Sequence, residues 1–479
     1  MFLGVDIGTS GVKVAAVTPE NTVAAQAQAP LPVSRPHALW SEQDPEDWWT
    51  ATDAAVRALP AEVRAAASAI GLSGQMHGAT LLGADDRPLR PAILWNDGRS
   101  FAECVEIERR EPRSREITGN IAMPGFTAPK LLWVATHEPE VFAAVRTVLL
   151  PKDYVRMSMT GDQASDMSDS AGTLWLDVGA RRWSGEMLAA TGLSESQMPR
   201  LHEGSEATGR LRPEVAAAWG MTPVPVAAGA GDNAAGAVGV GVIGDGDALL
   251  SLGTSGVSFV ATRDFRPNPE RAVHAFCHCL PGLWHQMSVH LSAASCLDWA
   301  AANAGVDVPQ FLALAEKAGA AAGSELFLPY LSGERTPHND PHVRAAFLGL
   351  GNDSDAGRLA AAVLEGVAFA HADGLAALRE AGTRVDNLFV IGGGARSRYW
   401  GRILAAALQV RLTYLDSAEV GPALGAAHLA RMAATGEAPA AVAVRPPVAD
   451  VIEPDARLIE QLAPKLARFR AAYPALKNL

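Results

Sequence analysis

Two short phrases of the chain carry the residues best suited to chemistry. Asp6-Ile7-Gly8-Thr9-Ser10-Gly11-Val12-Lys13 stands near the start, and Ser251-Leu252-Gly253-Thr254-Ser255-Gly256-Val257 stands past the middle. Each follows an apolar run, Phe2 to Val5 or Ala248 to Leu250, and leads into β-branched residues. The pattern is strand, tight turn, strand. Glycine lets a backbone approach a ligand closely, and successive turn N–H groups with neighbouring hydroxyls form a concave donor site for an anion. A single copy reads as good hairpin chemistry. Two copies, the first led by a carboxylate at the end of an apolar strand, read as paired sites facing one polyphosphate. Gly8, Thr9, Ser10 and Lys13 belong to the first site, and Gly253, Thr254 and Ser255 to the second.

Other polar groups stand where strands stop. Asp6 suits a carboxylate that supports Mg²⁺ through water, because Mg²⁺ prefers oxygen ligands and keeps several waters; its competing role is to cap the turn. Asp232 lies in Gly229-Ala230-Gly231-Asp232-Asn233-Ala234-Ala235-Gly236, exposed by glycines at the start of an expected helix. Such an Asp is often only an N-cap. Between two phosphate turns, it could accept a proton from a substrate hydroxyl that attacks a γ-phosphate. Gln75, Met76 and His77 follow a strand end, where Gln and His could bond a polyol and Met pack on its carbon face, or all three serve structure. Asn96, Asp97 and Arg99 form a second polar set, either a sugar pocket or a surface turn. Gly392-Gly393-Gly394-Ala395-Arg396-Ser397 marks a strand-to-helix junction that either receives a base and ribose on bare backbone or is a flexible turn. His274, Cys277, His278 and Cys279 match no structural zinc spacing and read as a strand with buried thiols.

These residues need strands and helices to hold them. Residues 2–28 read as a three-stranded meander, and Asp44-Pro45 as an N-cap with Pro at the first position of a helix through Val56. Short strands are expected at 68–72, 92–95, 224–228 and 387–391. A mostly helical region is expected over 104–219, and helices at 233–240 and after Gly421. The strand-turn-strand pattern restarts at Asp247, which places a domain boundary near Gly244. Residues 436–447 read as a connector, and Leu458, Leu462, Leu466, Phe469 and Tyr473 share one face of a closing helix kinked at Pro464. The mixture is α/β, with ligand loops at strand ends.

At 479 residues the chain has room for two or three domains, and 48% hydrophobic with 19% charged residues is an ordinary globular balance. A net charge of −12 excludes a broad basic face for nucleic acid or an anionic membrane. Residues 224–243 are long and apolar enough to suggest a membrane span, but Asp232-Asn233 at the centre points to a Gly-rich loop instead. No signal peptide is expected, and four cysteines suit a reduced, cytoplasmic setting. No P-loop or protein-kinase motif is present, and Gly239-Val240-Gly241-Val242-Ile243-Gly244 follows a helix, the wrong context for a dinucleotide fingerprint.

Taken in order, these motifs resemble the FGGY carbohydrate kinases of the actin/hexokinase/Hsp70 superfamily. Gly125-Phe126-Thr127-Ala128-Pro129-Lys130-Leu131-Leu132-Trp133 resembles that family's first signature. Leu328-Pro329-Tyr330-Leu331-Ser332-Gly333-Glu334-Arg335-Thr336-Pro337 and Leu364-Glu365-Gly366 resemble its second-half landmarks. The likeness spans residues 1–430. The stretches 39–45, 74–78 and 93–99 are most similar to its ketose kinases. The resemblance implies two actin/hexokinase/Hsp70-like (ribonuclease H-like) α/β domains with a cleft between them. Residues 1–244 would carry the sugar pocket, first phosphate turn and base. Residues 245–435 would carry the second turn and adenosine site, and 436–479 a connector and C-terminal helix. It further implies that Met76 and His77 touch the ketose, with Gln75, Asn96, Asp97 and Arg99 around it. Asp232 would be the base and Asp6 would support Mg-ATP, while Gly393, Gly394, Ala395 and Ser397 would receive the nucleotide. The expected partners are a ketose and ATP, and likeness alone points to a homodimer. A kinase for ribulose or glycerol, or a non-catalytic sensor or actin-like protein, stays open as an alternative.

Overall fold

A computed structural model describes residues 1–416 and 421–477. Two seven-stranded sheets dominate it. The first runs Ala207–Arg210, Pro225–Ala227, Ala69–Gly74, Phe2–Ile7, Gly11–Val17, Val23–Pro30, with Ala230–Gly231 added beside Ala69–Gly74. The second runs His274–Cys277, Trp284–His290, Gly256–Thr262, Ala248–Leu252, Asn387–Ile391, Arg411–Leu415, Val448–Ile452. Both share one plan. An antiparallel pair joined by the Gly/Thr/Ser turn lies beside a parallel strand, Ala69–Gly74 in one sheet and Asn387–Ile391 in the other. Loops at the carboxyl ends of such parallel neighbours are where α/β proteins place ligands.

Local sequence explains the elements that carry the site. The Phe2–Ile7 strand is nearly all buried because it is central, flanked on both sides. Val23–Pro30 alternates half-buried and exposed residues, as an edge strand with one wet face does. Helix Pro45–Ala58 begins as expected, with the Asp44 carboxylate accepting from the Glu46 N–H and Pro45 in the first turn. Helix Ala356–Glu380 is the only described helix long and apolar enough to cross a membrane, and 89% of that window is buried inside the protein as a core element. Residues 224–243, the stretch with that appearance in the sequence, instead supply strand Pro225–Ala227 and the short buried helix Asp232–Gly239.

Three sequence expectations change. The region 104–219 is threaded with strands of two to four residues among its helices, such as Thr147–Leu149 and Ala164–Asp166, too short to leave a periodic signal. The tail is more than a connector and helix: Val448–Ile452 pairs antiparallel with Arg411–Leu415 and closes the second sheet. The Ala456–Leu476 helix continues through Pro464 and Pro474, with Leu462 and Phe469 buried in the second core and Leu458, Leu466 and Tyr473 packed on it.

The two halves also share packing. Apolar residues of the helical region, among them Trp175, Leu174 and Val178, form one cluster with Phe259, Phe276 and Met287 of the second sheet. Helix Gly421–Thr435 follows six of the seven strands of the second sheet in the chain, yet it packs on the first. A Cβ at Gly4 would overlap the Ala423 carbonyl, one at Gly71 the Ala426 carbonyl, and one at Gly425 the Ala235 carbonyl. Bare backbone on both sides therefore sets how closely this helix lies on Phe2–Ile7, Ala69–Gly74 and Asp232–Gly239. Because backbone atoms, not flexible side-chain ends, stand in the way, Gly4→Ala should lower unfolding free energy by about 3 kcal/mol in urea titration. A change of a few tenths would mean the helix can lift off freely.

Candidate active site

The first turn is shaped by where its carbonyls go. Gly8 N donates to Gly11 O at 3.0 Å, Ser10 O accepts from Leu31 N at 3.0 Å, and Thr9 O accepts from Gln43 Nε2 at 2.7 Å. In the second turn, Gly253 O accepts from Ala294 N at 2.9 Å, and Thr254 O accepts from Ala293 N at 2.9 Å and Ser295 Oγ at 2.8 Å. Among the described residues, the backbone N–H groups of Thr9, Ser10, Thr254 and Ser255 have no acceptor within the protein. Carbonyls tied back and amides left free make each turn an anion cradle.

Asp6 ends the central strand beside the first cradle, with Ser73 Oγ donating to its Oδ1 at 3.0 Å and Lys13 opposite it on the paired strand. Burial raises its pKa to about 6, although Ser73 and Lys13 pull in the other direction. Asp232 is the first residue of its helix; Gly231 takes the N-cap position expected of the Asp. The Asp232 Oδ1 accepts from Asn233 N at 2.7 Å and Asn233 Nδ2 at 2.9 Å. Asp232 keeps some solvent contact, but protein crowds its carboxyl. That burial, and after it the charge of Asp6, pushes its pKa up to about 7. A carboxyl held near neutral pH by burial and by a neighbouring carboxylate is suited to proton transfer.

A buried network supports Asp232 from behind. Gly231 N donates to Ser168 Oγ at 3.1 Å, and that hydroxyl donates to the Asp166 carboxylate. The Lys152 ammonium, fully buried, lies 2.6 Å from Asp153, 2.9 Å from Asp166 and 3.1 Å from Asp169. Sequence reading missed this cluster. Its signal is charged residues, Lys152, Asp153, Arg156, Asp166 and Asp169, inside a stretch that is otherwise buried.

Met76 and His77 follow the Ala69–Gly74 strand into the same place. Met76 is wedged against Gly231, where a Cβ would stand 2.8 Å from its sulfur. His77 sits in the left-handed region at φ 70° and donates Nδ1–H to Gly172 O at 2.7 Å, leaving Nε2 as an acceptor. Burial first, then the nearby Lys130, lowers its pKa to about 3, so the ring stays neutral. The sequence left the role of Lys130 unread; a lone Lys among buried helical neighbours is its signal.

Several expected ligands are occupied elsewhere. Gln75 is buried: its Oε1 accepts from Thr9 Oγ1 at 3.0 Å and its Nε2 donates to Gln43 Oε1 at 2.7 Å. It braces the first turn and does not face a polyol. Trp95, half-exposed, donates Nε1–H to the same Thr9 hydroxyl at 3.0 Å, so that hydroxyl is committed within the protein. Asp97 and Arg99 form a closed ion cluster: Arg99 meets Asp97 and Glu42 at 2.7 Å each, and its guanidinium lies 3.6 Å over the Trp40 ring. Both side chains are 0–1% exposed and paired within the protein, which weighs against the expected sugar contacts. Asn96 alone of that set is exposed.

A cleft of about 1330 Å³ opens between the halves, lined by Lys13, Ser251, Gly392, Gly393, Ala395 and Gly421 among others. Gly392 needs its left-handed backbone, φ 89°, to turn the chain beside Leu252. Two neighbours also serve the protein's own structure. A Cβ at Gly394 would stand 2.7 Å from the Trp400 ring, so packing requires a glycine there. The Ser397 hydroxyl accepts from Trp400 N at 3.2 Å as the cap of helix Arg398–Leu408. His274, Cys277, His278 and Cys279 are buried on and just after one strand as expected, and no group of three or more metal-binding side chains occurs among the described residues.

Comparison with known proteins agrees with this geometry. The FGGY family of carbohydrate kinases matches in two parts, its N-terminal domain over residues 1–239 and its C-terminal domain over residues 248–434. The chain is 55% identical over 483 residues to the xylulose kinase of Escherichia coli (strain K12), covering 100% of both. It is 38% identical to that of Bacillus subtilis (strain 168), covering 89% of this chain and 87% of that one. Among solved structures, a xyloylose kinase from Brucella ovis superposes with a TM-score of 0.96 at 53% identity, covering 100% of this chain and 99% of the other. A xylulose kinase from Rhodospirillum rubrum gives 0.92 at 30% identity over 100% and 99%.

The pairing of Asp6 with Asp232 has a direct readout. In ¹³C-aspartate NMR one carboxyl should titrate near pH 7, and Asp6→Asn should move that titration to lower pH, because removing a neighbouring negative charge favours the ionised form. An unmoved midpoint would show that the two groups do not sense each other.

Proposed function

The chain belongs to the FGGY family of carbohydrate kinases and is an ATP-dependent sugar kinase with two actin-like α/β halves; from that premise we propose that it transfers the γ-phosphoryl group of ATP to the 5-hydroxyl of D-xylulose, giving D-xylulose 5-phosphate and ADP. The observation that carries the reading is Asp232, whose pKa is pushed up to about 7 by burial and by the charge of Asp6, next to Gly231, the residue that pairs with Gly74 and packs against Met76, the neighbour of His77. The identities of the relatives support the ketose.

The chemistry follows from these groups. His77 Nε2 and Met76 hold the ketose so that its terminal hydroxyl points at Asp232. Asp232 takes the hydroxyl proton as that oxygen bonds to the γ-phosphorus and the bond to the β,γ-bridging oxygen breaks. The free amides of both turns stabilise the charge on the phosphoryl oxygens, in a geometry fixed before reaction. The nucleotide's base and ribose lie toward Gly392, Gly393 and Ala395. A divalent cation fits this site, since Asp6 offers oxygen and the repulsion between two facing carboxylates is relieved by positive charge. Bound with ATP, Mg²⁺ would be held by Asp6 through water and would neutralise phosphate charge.

The division of labour we assign is 1–244 for sugar and base, 245–435 for nucleotide, and 436–479 as a tail; the matched ranges support it. Four free, buried cysteines, Cys104, Cys277, Cys279 and Cys296, support a reducing cytoplasmic setting. A homodimer stays part of this proposal on the resemblance alone.

A coupled ADP-release assay over D-xylulose, D-ribulose and glycerol should give its highest kcat/KM with D-xylulose; a higher value for another acceptor replaces the substrate. Asp232→Ala should cut kcat by about 10²–10⁴-fold while ATP affinity is kept. Retained kcat would remove Asp232 as the base.

A further inference from the structure

His77 holds a backbone conformation that residues other than glycine seldom adopt, with φ 70°. Something must fix it there. The His77 carbonyl accepts from Lys130 Nζ at 2.8 Å and from Thr127 Oγ1 at 3.3 Å. The same Nζ donates to Gly125 O at 2.7 Å. Lys130 is fully buried in helix Thr127–His137, and no carboxylate lies within ion-pair distance of it among the described residues. A buried Lys without an ion-pair partner is costly, and here these carbonyls and the more distant charge of Asp97 compensate it. The two bonds require two N–H groups, which the amine has whether or not it carries the third proton. The imidazole is held on its other sides as well. Phe126 and Phe276 lie 5.0 Å and 6.3 Å from it between ring centres, and a Cβ at Gly172 would stand 2.6 Å from Nδ1.

We propose that Lys130 is a positioning residue of the sugar site: by bridging the carbonyls of His77 and Gly125 it locks the His77 backbone in the left-handed conformation that leaves imidazole Nε2 available to a substrate hydroxyl. This rests on the reading of His77 as a sugar contact. Thr127 is the weaker second arm of the same clamp. Lys130 touches no reacting atom, so its influence is on binding of the sugar and not on the phosphoryl step.

The test is a double-mutant cycle on the full chain, with KM for D-xylulose, KM for ATP and kcat measured for wild type, His77→Ala, Lys130→Met, Thr127→Val and the paired variants. Lys130→Met should raise KM for the ketose roughly tenfold, the scale of one well-placed hydrogen bond, with kcat and KM for ATP little changed. In the His77→Ala background the Lys130→Met effect should vanish. Thr127→Val should act in the same direction but less, and it decides the question if Lys130→Met does not fold. An equal effect in both backgrounds, or a loss in kcat and ATP affinity together, overturns the clamp. An unchanged KM in His77→Ala overturns the sugar-contact reading and the clamp with it. A raised KM in His77→Ala with none in Lys130→Met or Thr127→Val overturns the clamp alone.

Discussion

The repulsion between Asp6 and Asp232 sets what the remainder of the site must do. A carboxylate at the end of a buried strand and another at the start of a buried helix would drift apart or take up protons if nothing opposed them. Ser73 and Lys13 restrain the first. The second is restrained through its backbone, by the line from Gly231 to Ser168, Asp166 and Lys152. The result is a carboxylate whose pKa, pushed up to about 7, lies where a group can both accept and release a proton near neutrality.

The two anion turns have similar sequences and are braced differently. The first uses side chains: Gln43, Gln75 and the indole of Trp95 converge on Thr9. The second uses the start of the Ala294–Asn303 helix, where the N–H groups of Ala293 and Ala294 donate to the turn's carbonyls. Each solution leaves the amides of the turn unpaired. That is the condition for binding phosphate, and it is met without any basic residue at the second turn.

Much of this was legible in the chain because the informative residues break local rules. Repeated Gly-Thr-Ser-Gly turns after apolar strands, and an Asp between glycines, are visible without coordinates, as are the strands on either side. What stayed hidden depends on contacts distant in sequence. Gln75, Asp97 and Arg99 look like ligands because they are polar at strand ends; only folding shows that Gln43, Glu42 and Trp40 consume them. Ser397 and Gly394 share a motif with Gly392 and Gly393 but face the helix and the core. The Val448–Ile452 strand is short and half wet, and only its pairing with Arg411–Leu415 identifies it.

The Gly421–Thr435 helix has a consequence for biosynthesis. It covers the back of the Phe2–Ile7 and Ala69–Gly74 strands, yet the ribosome makes it after nearly all of the second sheet. Until it emerges, the earliest-made sheet keeps an apolar, glycine-notched surface uncovered, a natural target for chaperones. A fragment ending where the first family segment ends would keep that surface permanently bare, so the halves distinguished by sequence are not independent folding units.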